Sequence, residues 1–254
     1  EFRQLVAEGY KDITLLGQNV NSYGLDKHAS GDTSFARLLR KVSELPGLAR
    51  LRFVTPHPKD LSPEVVAMFG EVPNLCPRLH LPLQAGSDRV LARMNRKYDS
   101  ARFYESVTLL NRFFTRPAVT TDLIVGFPEE TEEEFETTLE FIQKCAFAQM
   151  HVFPYSIRPG TPAADMPQVP PAVKEERAKR AGAVAARMHQ AYLAGCVGET
   201  YCVLFEQPRK GLYSGHAPNY MEVLADGTDL HNQVRNVKVT GTDGASLLGE
   251  LLED

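Results

Sequence analysis

The chain has 254 residues and a formal net charge of −4, with 43% hydrophobic and 24% charged residues. This composition is typical of a folded domain, and the acidic balance excludes general electrostatic attraction to nucleic acid while it permits a local basic patch. No apolar run approaches the roughly 20 residues of a membrane span, and no leader pattern precedes the first element, so we expect a cytoplasmic protein with no membrane partner.

The cysteines are scattered through the chain, at Cys76, Cys145, Cys196 and Cys202. Their separations match no short-spaced metal motif, and they are too few for a disulfide scaffold. We therefore expect small buried thiols in a reducing compartment, and no metal site among these residues.

Strands and helices alternate through residues 1–156. Phe2, Leu5 and Val6 mark the apolar face of a first helix, and a strand follows at 13–16. The same order then repeats, with helices predicted at 35–45, from 62 onward, at 101–114 and at 131–144, and strands at 51–54, 79–83, 119–125 and 148–156. Because helical crossovers imply parallel pairing, the sequence predicts an α/β fold with a partial (β/α) barrel of parallel strands.

The carboxyl end of each predicted strand carries polar residues or Gly and Pro. The strand at 79–83 runs into Gln-Ala-Gly-Ser-Asp at 84–88, where Ser87 or Asp88 can cap the next helix. In parallel sheets and barrels these ends lie on one edge, where helix amino ends offer unpaired N–H groups to ligands. The pattern therefore predicts a ligand-binding mouth at this edge.

The last third of the chain has a different pattern. A Pro-rich loop at 159–171 is followed by a long helix at 174–193 and by short β-prone runs at 200–205, 220–224 and 234–240. Such runs, separated by turns, predict a small all-β barrel. We therefore predict a barrel core at 1–170, a connecting helix at 171–194 and a β domain at 195–254.

Several segments carry a family resemblance. They read Leu-Pro-Leu-Gln-Ala-Gly-Ser-Asp at 81–88, Met-Asn-Arg-Lys-Tyr at 94–98, Thr-Asp-Leu-Ile-Val-Gly-Phe-Pro at 121–128 and Tyr-Ser-Ile-Arg-Pro-Gly-Thr-Pro-Ala-Ala at 155–164. In this order, and together with 16–21 and 55–58, they resemble the radical S-adenosylmethionine (SAM) methylthiotransferases. The resemblance implies a radical SAM partial barrel without its first strand, followed by an RNA-binding TRAM-like β domain.

The resemblance also bears on the substrate. Residues 151–156 and 215–220 most resemble the branch that modifies threonylcarbamoyladenosine beside the anticodon of tRNA. The branches acting on isopentenyladenosine and on a ribosomal protein are less similar. The resemblance therefore implies tRNA as the partner and methylthiolation of threonylcarbamoyladenosine as the reaction, and it identifies neither the sulfur donor nor the electron donor.

The family's chemistry implies SAM and four-iron four-sulfur (4Fe-4S) clusters as cofactors. One cluster is held by a Cys-x-x-x-Cys-x-x-Cys loop after the first barrel strand, and a second by an amino-terminal domain. The cysteines of this chain match neither set, and the loop would lie just before Glu1, where the first helix is already under way. We therefore expect a truncated piece of a complete enzyme, inactive alone, with a non-catalytic RNA-binding relic as the alternative.

Candidate cofactor residues lie at the strand ends. Asp122 is notable because a carboxylate inside an apolar strand needs a partner, while His80 and His151 are expected to be ordinary strand residues. An aromatic ring and a guanidinium after the last strand can flank a purine. The predicted cofactor-binding residues are Gln18, Asn19, His57, Gln84, Ser87, Asp122, Phe153, Tyr155 and Arg158.

Candidate RNA-binding residues fall in two groups. A basic helix face offers phosphate contacts, and polar and aromatic side chains of the β domain offer contacts to an unstacked base. The predicted residues are Arg89, Arg93, Arg96 and Lys97 in the first group and Tyr213, His216, Asn219 and Tyr220 in the second.

Overall fold

The computed structural model of the chain describes residues 1–17, 19–24, 34–54, 63–209 and 211–253. In the first part of these ranges the strands are β1 (Asp12–Leu15), β2 (Arg50–Phe53), β3 (Arg78–His80), β4 (Ala118–Val125) and β5 (Gln149–Pro154). β1 pairs with β2, and β3, β4 and β5 form a second sheet in that order. Every one of these pairings is parallel, as predicted.

A short bridge joins the two sheets. Leu51 of β2 pairs in parallel with Leu75, just before β3. The Cys76 N–H donates to the Leu51 carbonyl at 3.0 Å, and the Leu51 N–H donates to the Asn74 carbonyl at 2.8 Å. The strands therefore follow chain order across one parallel array, which confirms the predicted partial barrel.

Helices connect the strands and cover their outer side. They are α1 (Phe2–Ala7), α2 (Phe35–Ser43), α3 (Pro63–Glu71), α4 (Asp88–Arg93), α5 (Ser100–Thr108), α6 (Glu132–Cys145) and α7 (Pro171–Cys196). Short 3₁₀ helices occupy Val20–Ser22, Leu109–Arg112 and Pro162–Ala164. None of the helices in the described ranges has the length and apolar character that a bilayer crossing requires.

Local sequence explains several helix starts. Thr131 and Glu134 form the capping box at the start of α6 that their spacing predicts. Ser87 occupies the N-cap position of α4 without a side-chain capping bond. Asp88 instead accepts a hydrogen bond from the Ser100 N–H at 2.7 Å, so its carboxylate links α4 to the start of α5.

β4 shows how the two faces of the array divide. Leu123 and Val125 are fully buried in the core under the helices. Asp122 and Ile124 alternate with them and are only partly buried, so they belong to the opposite, concave face. The concave face therefore carries the side chains that can meet a ligand.

The described part of 200–253 forms a closed barrel with its own core. Its strands are β6 (Thr200–Arg209), β7 (Leu212–His216), β8 (Glu222–Ala225), β9 (Val234–Thr242) and β10 (Leu247–Leu251), ordered β10-β8-β7-β6-β9. This confirms the predicted all-β barrel. β7 and β10 were not predicted as strands, and in β7 the Ser and Gly of Leu-Tyr-Ser-Gly-His have low strand propensity.

The β domain docks at the amino-terminal ends of the first strands. Arg50 and Arg52 are each 3% exposed. The Arg50 Nη1 donates to the His216 carbonyl, and the Arg52 Nη1 donates to the Pro218 carbonyl, both at 2.7 Å. The Arg52 Nε also binds the Asp12 carboxylate at 2.9 Å. The β domain therefore lies at the opposite end of the strands from their carboxyl ends.

Gly86 permits close packing between the end of β3 and α6. A Cβ atom at Gly86 would lie 2.8 Å from the Thr138 Cα and 3.2 Å from its carbonyl oxygen. We expect Gly86→Ala to lower the free energy of unfolding by about 1–3 kcal/mol, because the neighbouring backbone must move. Urea denaturation measures the change.

Gly182→Ala is the matched control, because Gly182 lies inside α7 and a Cβ atom there meets nothing within 4 Å. Alanine has less backbone freedom than glycine in the unfolded chain, so Gly182→Ala is expected to stabilise the protein by roughly 0.5–1 kcal/mol. Equal effects of the two substitutions would contradict the packing described for Gly86.

Candidate functional site

A cavity of about 930 Å³ opens at the carboxyl ends of β3, β4 and β5. It brings together Gln84, Asp122, Phe153, Tyr155 and Arg158, which were predicted separately: Asp122 from within a strand and the others from strand ends. Its other lining residues include Arg93, Met94, Asn95, Arg96, Ile124, Phe127, Thr161, Pro162, Ala163 and Met166.

Gln84 is fixed by the backbone on both sides. Its φ angle is 71°, in the left-handed region. Its N–H donates to the Asp122 carbonyl at 2.9 Å, and its own carbonyl accepts from the Ile124 N–H at 2.9 Å. The chain thus leaves β3 while remaining joined to β4, and this places Gln84 in the cavity wall.

Tyr98 supports the same segment from below. Its hydroxyl lies 3.0 Å from the Pro82 carbonyl and 3.1 Å from the Leu83 carbonyl. Burial raises the pKa of the Tyr98 hydroxyl to about 12, so the group stays a hydrogen-bond donor at neutral pH. The motif at 94–98 therefore contributes a structural anchor as well as cavity lining.

Asp122 has a partner on the neighbouring strand. The Nε2 atom of His80 lies 3.3 Å from the Asp122 Oδ2, and the His80 Nδ1 lies 2.9 Å from the Thr120 hydroxyl oxygen. The hydrogen bond to His80 holds the pKa of the Asp122 carboxyl below its usual range, against the opposing effect of burial. An ionised carboxylate therefore borders the cavity.

Aromatic rings from the loop after β4 and from the end of β5 form another wall. The Phe127 and Tyr155 rings pack edge to face with centroids 5.1 Å apart. Phe153 is 51% exposed and pairs in the strand register with Ile124. An open apolar surface of this kind suits the face of a purine.

The basic residues of α4 and the following turn divide between the cavity and the outside. Arg93 donates to the Glu134 carboxylate at 2.7 Å, and Arg89, which is mostly exposed, lies 3.4 Å from the same carboxylate. The Lys97 ammonium binds the Asn95 side chain at 2.7 Å. Arg96 lines the cavity, and its buried Nε has no hydrogen-bond partner in the described part of the chain. Arg93 and Arg96, predicted for RNA, thus share one wall with the predicted cofactor residues.

Other predicted cofactor residues lie apart from this cavity. Asn19 lines a separate pocket of about 590 Å³ between the end of β1 and the start of α2. Ser87 is 5% exposed at the start of α4. Gln18 and His57 lie outside the described residues.

The predicted base-binding residues of the β domain lie mainly at its junction with the barrel core. Asn219 is 1% exposed, and its amide donates to the Tyr192 hydroxyl at 3.2 Å, which leaves it almost no surface for a base. The Tyr220 ring stacks on His216 at 4.6 Å, and the Arg78 guanidinium lies over it at 4.2 Å. These contacts hold the two parts of the chain together.

Tyr213 of β7 is the remaining member of that group, and it is partly buried against the core of the β domain. Tyr220, by contrast, is 41% exposed, so its predicted RNA contact keeps an open surface. The burial of Asn219 follows from long-range docking against Tyr192, which no local sequence pattern indicates.

The four cysteines are free thiols. Cys76, Cys145 and Cys196 are buried, and Cys202 is exposed on β6. Burial raises the pKa of the Cys76 thiol to about 11, which disfavours the thiolate that ligates iron. The described ranges contain no group of three or more His, Cys, Asp or Glu side chains arranged to hold a metal ion.

Glu130 is a further candidate, which was not predicted because an acidic residue just before a helix is usually exposed to solvent. Its carboxylate is buried and accepts from the Gly126 N–H at 2.7 Å. The Arg177 guanidinium of α7 binds the same oxygen at 2.8 Å. The loop that borders the cavity after β4 is therefore tied to α7.

Glu130 predicts a characteristic pH dependence. Burial raises the pKa of this carboxyl despite the Gly126 and Arg177 contacts. A raised folded-state pKa gives a contribution to stability that is complete at acidic pH, below the unfolded value, and is lost as pH rises through the folded value. We therefore expect Glu130→Gln to gain stability relative to the parent protein as pH rises from 4 to 7.

Urea denaturation at successive pH values tests this expectation. Glu140→Gln, an exposed carboxylate on α6, is the control and is expected to show a flat difference. If the free energy of unfolding of Glu130→Gln, relative to that of the parent protein, falls as pH rises from 4 to 7, the raised pKa of Glu130 is contradicted.

Comparison with known proteins agrees with this geometry. Residues 1–142 match the Radical SAM superfamily. The tRNA-2-methylthio-N(6)-dimethylallyladenosine synthase of Oleidesulfovibrio alaskensis is 46% identical over 262 residues, which cover 99% of this chain and 56% of the relative. The synthase of the same name from Geobacter sulfurreducens is 44% identical over 260 residues, covering 100% of this chain and 57% of the relative.

The chain thus spans little more than half the length of these curated relatives. Among solved structures, coproporphyrinogen III oxidase from Escherichia coli, described as a radical SAM enzyme, aligns with a TM-score of 0.50 and 15% identity over 72% of this chain and 50% of that chain. This likeness concerns the fold alone. The chain belongs to the radical SAM superfamily and, within it, to the tRNA methylthiotransferase family.

Proposed function

We propose that this chain is the SAM-binding core and β domain of a tRNA methylthiotransferase that acts on an N6-substituted adenosine. The observation that carries the proposal is the cavity at the carboxyl ends of β3, β4 and β5, which combines a carboxylate, an amide, guanidinium groups and open aromatic surface. Its volume of about 930 Å³ lies in the range of roughly 300–1,000 Å³ that is typical of small-molecule sites.

The cavity residues fit SAM by chemical type. Ile124 and Phe153 offer apolar surface for the adenine, and Asp122 and Gln84 offer acceptors for hydroxyl or amine groups. The Arg96 guanidinium, with its unpaired buried Nε, can bind the carboxylate of the cofactor. When bound, SAM supplies the radical chemistry that opens a C–H bond, together with the methyl group.

The iron–sulfur cluster is a different case. The cysteines of this chain are mostly buried, and within the described ranges they belong to no group of three or more metal-ligating side chains, so they do not fit a cluster. The role of the described residues is accordingly to bind and orient the nucleoside groups and to exclude water from the concave face. Phe127, Tyr155 and Met166 line the cavity and serve that exclusion.

We propose N6-dimethylallyladenosine of tRNA as the substrate. The names of the relatives support this choice, because both curated synthases carry dimethylallyladenosine in their names. Apolar lining by Met94, Ala163 and Met166 is compatible with an apolar N6 substituent. Threonylcarbamoyladenosine is the second candidate, favoured by the motif likeness at 151–156 and 215–220.

The test uses the full product of the gene that encodes this chain, reconstituted anaerobically with iron and sulfide. It is incubated with SAM, a reductant and tRNA from a host that lacks methylthiolated nucleosides, and the nucleosides are analysed by mass spectrometry. We expect 2-methylthio-dimethylallyladenosine. The threonylcarbamoyl product would establish the second candidate, and no methylthiolated tRNA nucleoside would contradict the proposal and favour a non-catalytic relic.

Variants test whether the cavity takes part in the reaction. Gln84→Ala is expected to reduce product formation at least tenfold, because it removes the side-chain amide from the cavity wall. Gln207→Ala, an exposed glutamine on β6, is the matched control and is expected to leave activity unchanged. If the two variants are equally active, Gln84 in the cavity has no role in the reaction, which contradicts the proposed site.

A further inference from the structure

A separate groove of about 460 Å³ lies between α6, α7 and the segment before β4. Arg116 precedes β4 and Ala146 precedes β5, so the groove lies at the amino-terminal ends of these strands, opposite the cavity. Neither arginine of this groove was predicted to have a functional role. The lining residues are Arg116, Gln143, Ala146, Val184, Arg187, Met188, Ala191 and Tyr192.

The groove combines positive charge with apolar surface. Arg116 and Arg187 are exposed, and neither side chain forms an ion pair or a hydrogen bond with another described residue. Among the described residues that line the groove none is acidic, and Val184, Met188 and Ala191 add apolar surface. Because the local charge is positive in a chain of net charge −4, the groove fits an anionic ligand.

Gly195 provides the space in which the Arg116 side chain lies. A Cβ atom at Gly195 would overlap the Arg116 Nη1 and would lie 2.9 Å from its Cζ. The guanidinium therefore packs against the last turn of α7. The carboxyl end of a helix attracts a cation, which accounts for Arg116 at this point. It does not account for Arg187, which lies more than two turns earlier in the helix.

The two arginines are too far apart to bind one small anion together. Gly195, against which Arg116 packs, lies about 12 Å beyond Arg187 along the helix axis. Helical side chains lean toward the amino end, which carries the Arg187 guanidinium away from Gly195. A ligand that contacts both arginines therefore needs separate negative groups, as the phosphates of a nucleic acid strand supply.

The position of the groove allows an RNA to contact the cavity as well. α7 has 26 residues, about 39 Å, and it runs from the loop after β4, where Arg177 binds Glu130, to the β domain. At its far end the Tyr192 hydroxyl accepts from the Asn219 amide of the β domain at 3.2 Å. An RNA stem that lies beside α7 can therefore contact the groove while its loop meets the cavity.

We propose that this groove binds the phosphodiester backbone of RNA, with Arg116 and Arg187 contacting separate phosphates and Gly195 giving the Arg116 guanidinium its position. A guanidinium suits this role because its paired N–H groups match two phosphate oxygens. The inference goes beyond the proposed function, and it rests on that function only for tRNA as the RNA. Since phosphate contacts carry no sequence information, the groove adds affinity without selecting a base.

Salt-dependent RNA binding tests the inference on the chain itself. The probe is a fluorescein-labelled RNA hairpin with the sequence of a tRNA anticodon arm, and fluorescence anisotropy gives its dissociation constant at successive KCl concentrations. We expect Arg116→Gln and Arg187→Gln each to weaken binding about threefold to tenfold, because a charge-assisted contact is lost. Each is also expected to reduce the magnitude of the slope of log K against log[KCl] by about 0.7–0.9, the contribution of one phosphate contact.

Gly195→Ala separates the position of Arg116 from its charge. The added Cβ atom meets the flexible end of the Arg116 side chain, so we expect an unchanged circular dichroism spectrum and a slope reduced as in Arg116→Gln. Gly182→Ala, in the same helix with nothing within 4 Å, is the matched control. Arg3→Gln, an exposed arginine of α1, is the control for loss of a charge. Both controls are expected to keep the parent slope.

The outcomes separate this inference from the proposed function. A reduced slope in both arginine variants, with no methylthiolated product from the full gene product, would support the groove and contradict the proposed function. The inference is overturned if both arginine variants keep the parent slope, if Arg3→Gln reduces it equally, or if the parent chain does not bind the hairpin. The cavity is then still tested by the mass-spectrometric assay.

Two further outcomes concern the ligand and the glycine. If the arginine variants weaken binding of fluorescein-labelled polyglutamate and leave hairpin binding unchanged, the groove is a site for an acidic protein and the inference is overturned. If Gly195→Ala alone keeps the parent slope, the positioning role of Gly195 is overturned and the two arginines remain the phosphate contacts.

Discussion

Arg52→Ala is expected to lower the free energy of unfolding by about 3–5 kcal/mol, because the substitution breaks a buried ion pair and removes the donor for barrel carbonyls. The Arg52 side chain is 3% exposed and binds Asp12 at 2.9 Å. Its Nη atoms donate to the Pro218 carbonyl at 2.7 Å and the Ala217 carbonyl at 3.2 Å. Loss of these contacts deprives the Pro218 carbonyl and the Asp12 carboxylate of the Arg52 guanidinium, while the Ala217 carbonyl keeps the Tyr220 N–H at 2.9 Å and Asp12 keeps Arg50 at 3.8 Å.

Urea denaturation and hydrogen exchange measure this effect. Arg3→Ala, on the exposed side of α1, is the control and is expected to stay within about 0.5 kcal/mol of the parent protein. We also expect faster amide exchange at 216–221 in Arg52→Ala. A change below about 1 kcal/mol, with unaltered exchange in that loop, would contradict the docking role of Arg52.

Arg177→Met is expected to cost about 3–5 kcal/mol, because it leaves the Glu130 carboxylate buried without its charged partner. The two side chains are 5% and 1% exposed, and their ion pair measures 2.8 Å. The guanidinium also donates to the Glu130 carbonyl at 3.0 Å. The loop after β4 therefore loses both of its contacts to this arginine.

The double variant Arg177→Met with Glu130→Met distinguishes loss of the pair from loss of packing. It is expected to recover much of the stability, since replacing both members of a buried pair by apolar groups is often neutral or stabilising. Arg112→Met, on an exposed 3₁₀ turn, is the control. Equal destabilisation in the double variant and in Arg177→Met would contradict the ion-pair account.

The order of the parallel strands could be predicted because each strand is a short apolar run closed by Gly, Pro or polar residues. The segment Thr-Asp-Leu-Ile-Val-Gly at 121–126 illustrates this, since alternation buries Leu123 and Val125 and leaves Asp122 on the other face. The end of β3 was equally informative, because the Gln-Ala-Gly turn at 84–86 marks the exit into the cavity. Such patterns depend only on residues that are neighbours in the sequence, so they can be recognised without the structure.

The docking of the β domain could not be predicted. It depends on Arg50 and Arg52, whose contacts to His216 and Pro218 span more than 160 residues. An arginine inside a strand gives no indication of a partner so distant. For the same reason the contacts of Tyr220 to His216 and the Arg78 guanidinium could not be predicted, while its RNA contact stays a prediction, since the side chain is 41% exposed.

The cavity was predicted only in part. Arg93 and Arg96 were predicted as a phosphate-binding surface, and both line the same cavity as the predicted cofactor residues. α4 is short and ends before Asn95, whose φ of 56° turns the chain back. A turn of this kind changes the direction of the following side chains, and helical periodicity does not predict it.

Photolabelling tests the assignment of the nucleoside site to the carboxyl ends of β3, β4 and β5. With 8-azidoadenosine as the probe and peptide mass spectrometry as the readout, we predict adducts within 84–96, 122–127 and 153–166, suppressed by excess adenosine. Adducts confined to the pocket around Asn19, or to the β domain at 200–253, would contradict it.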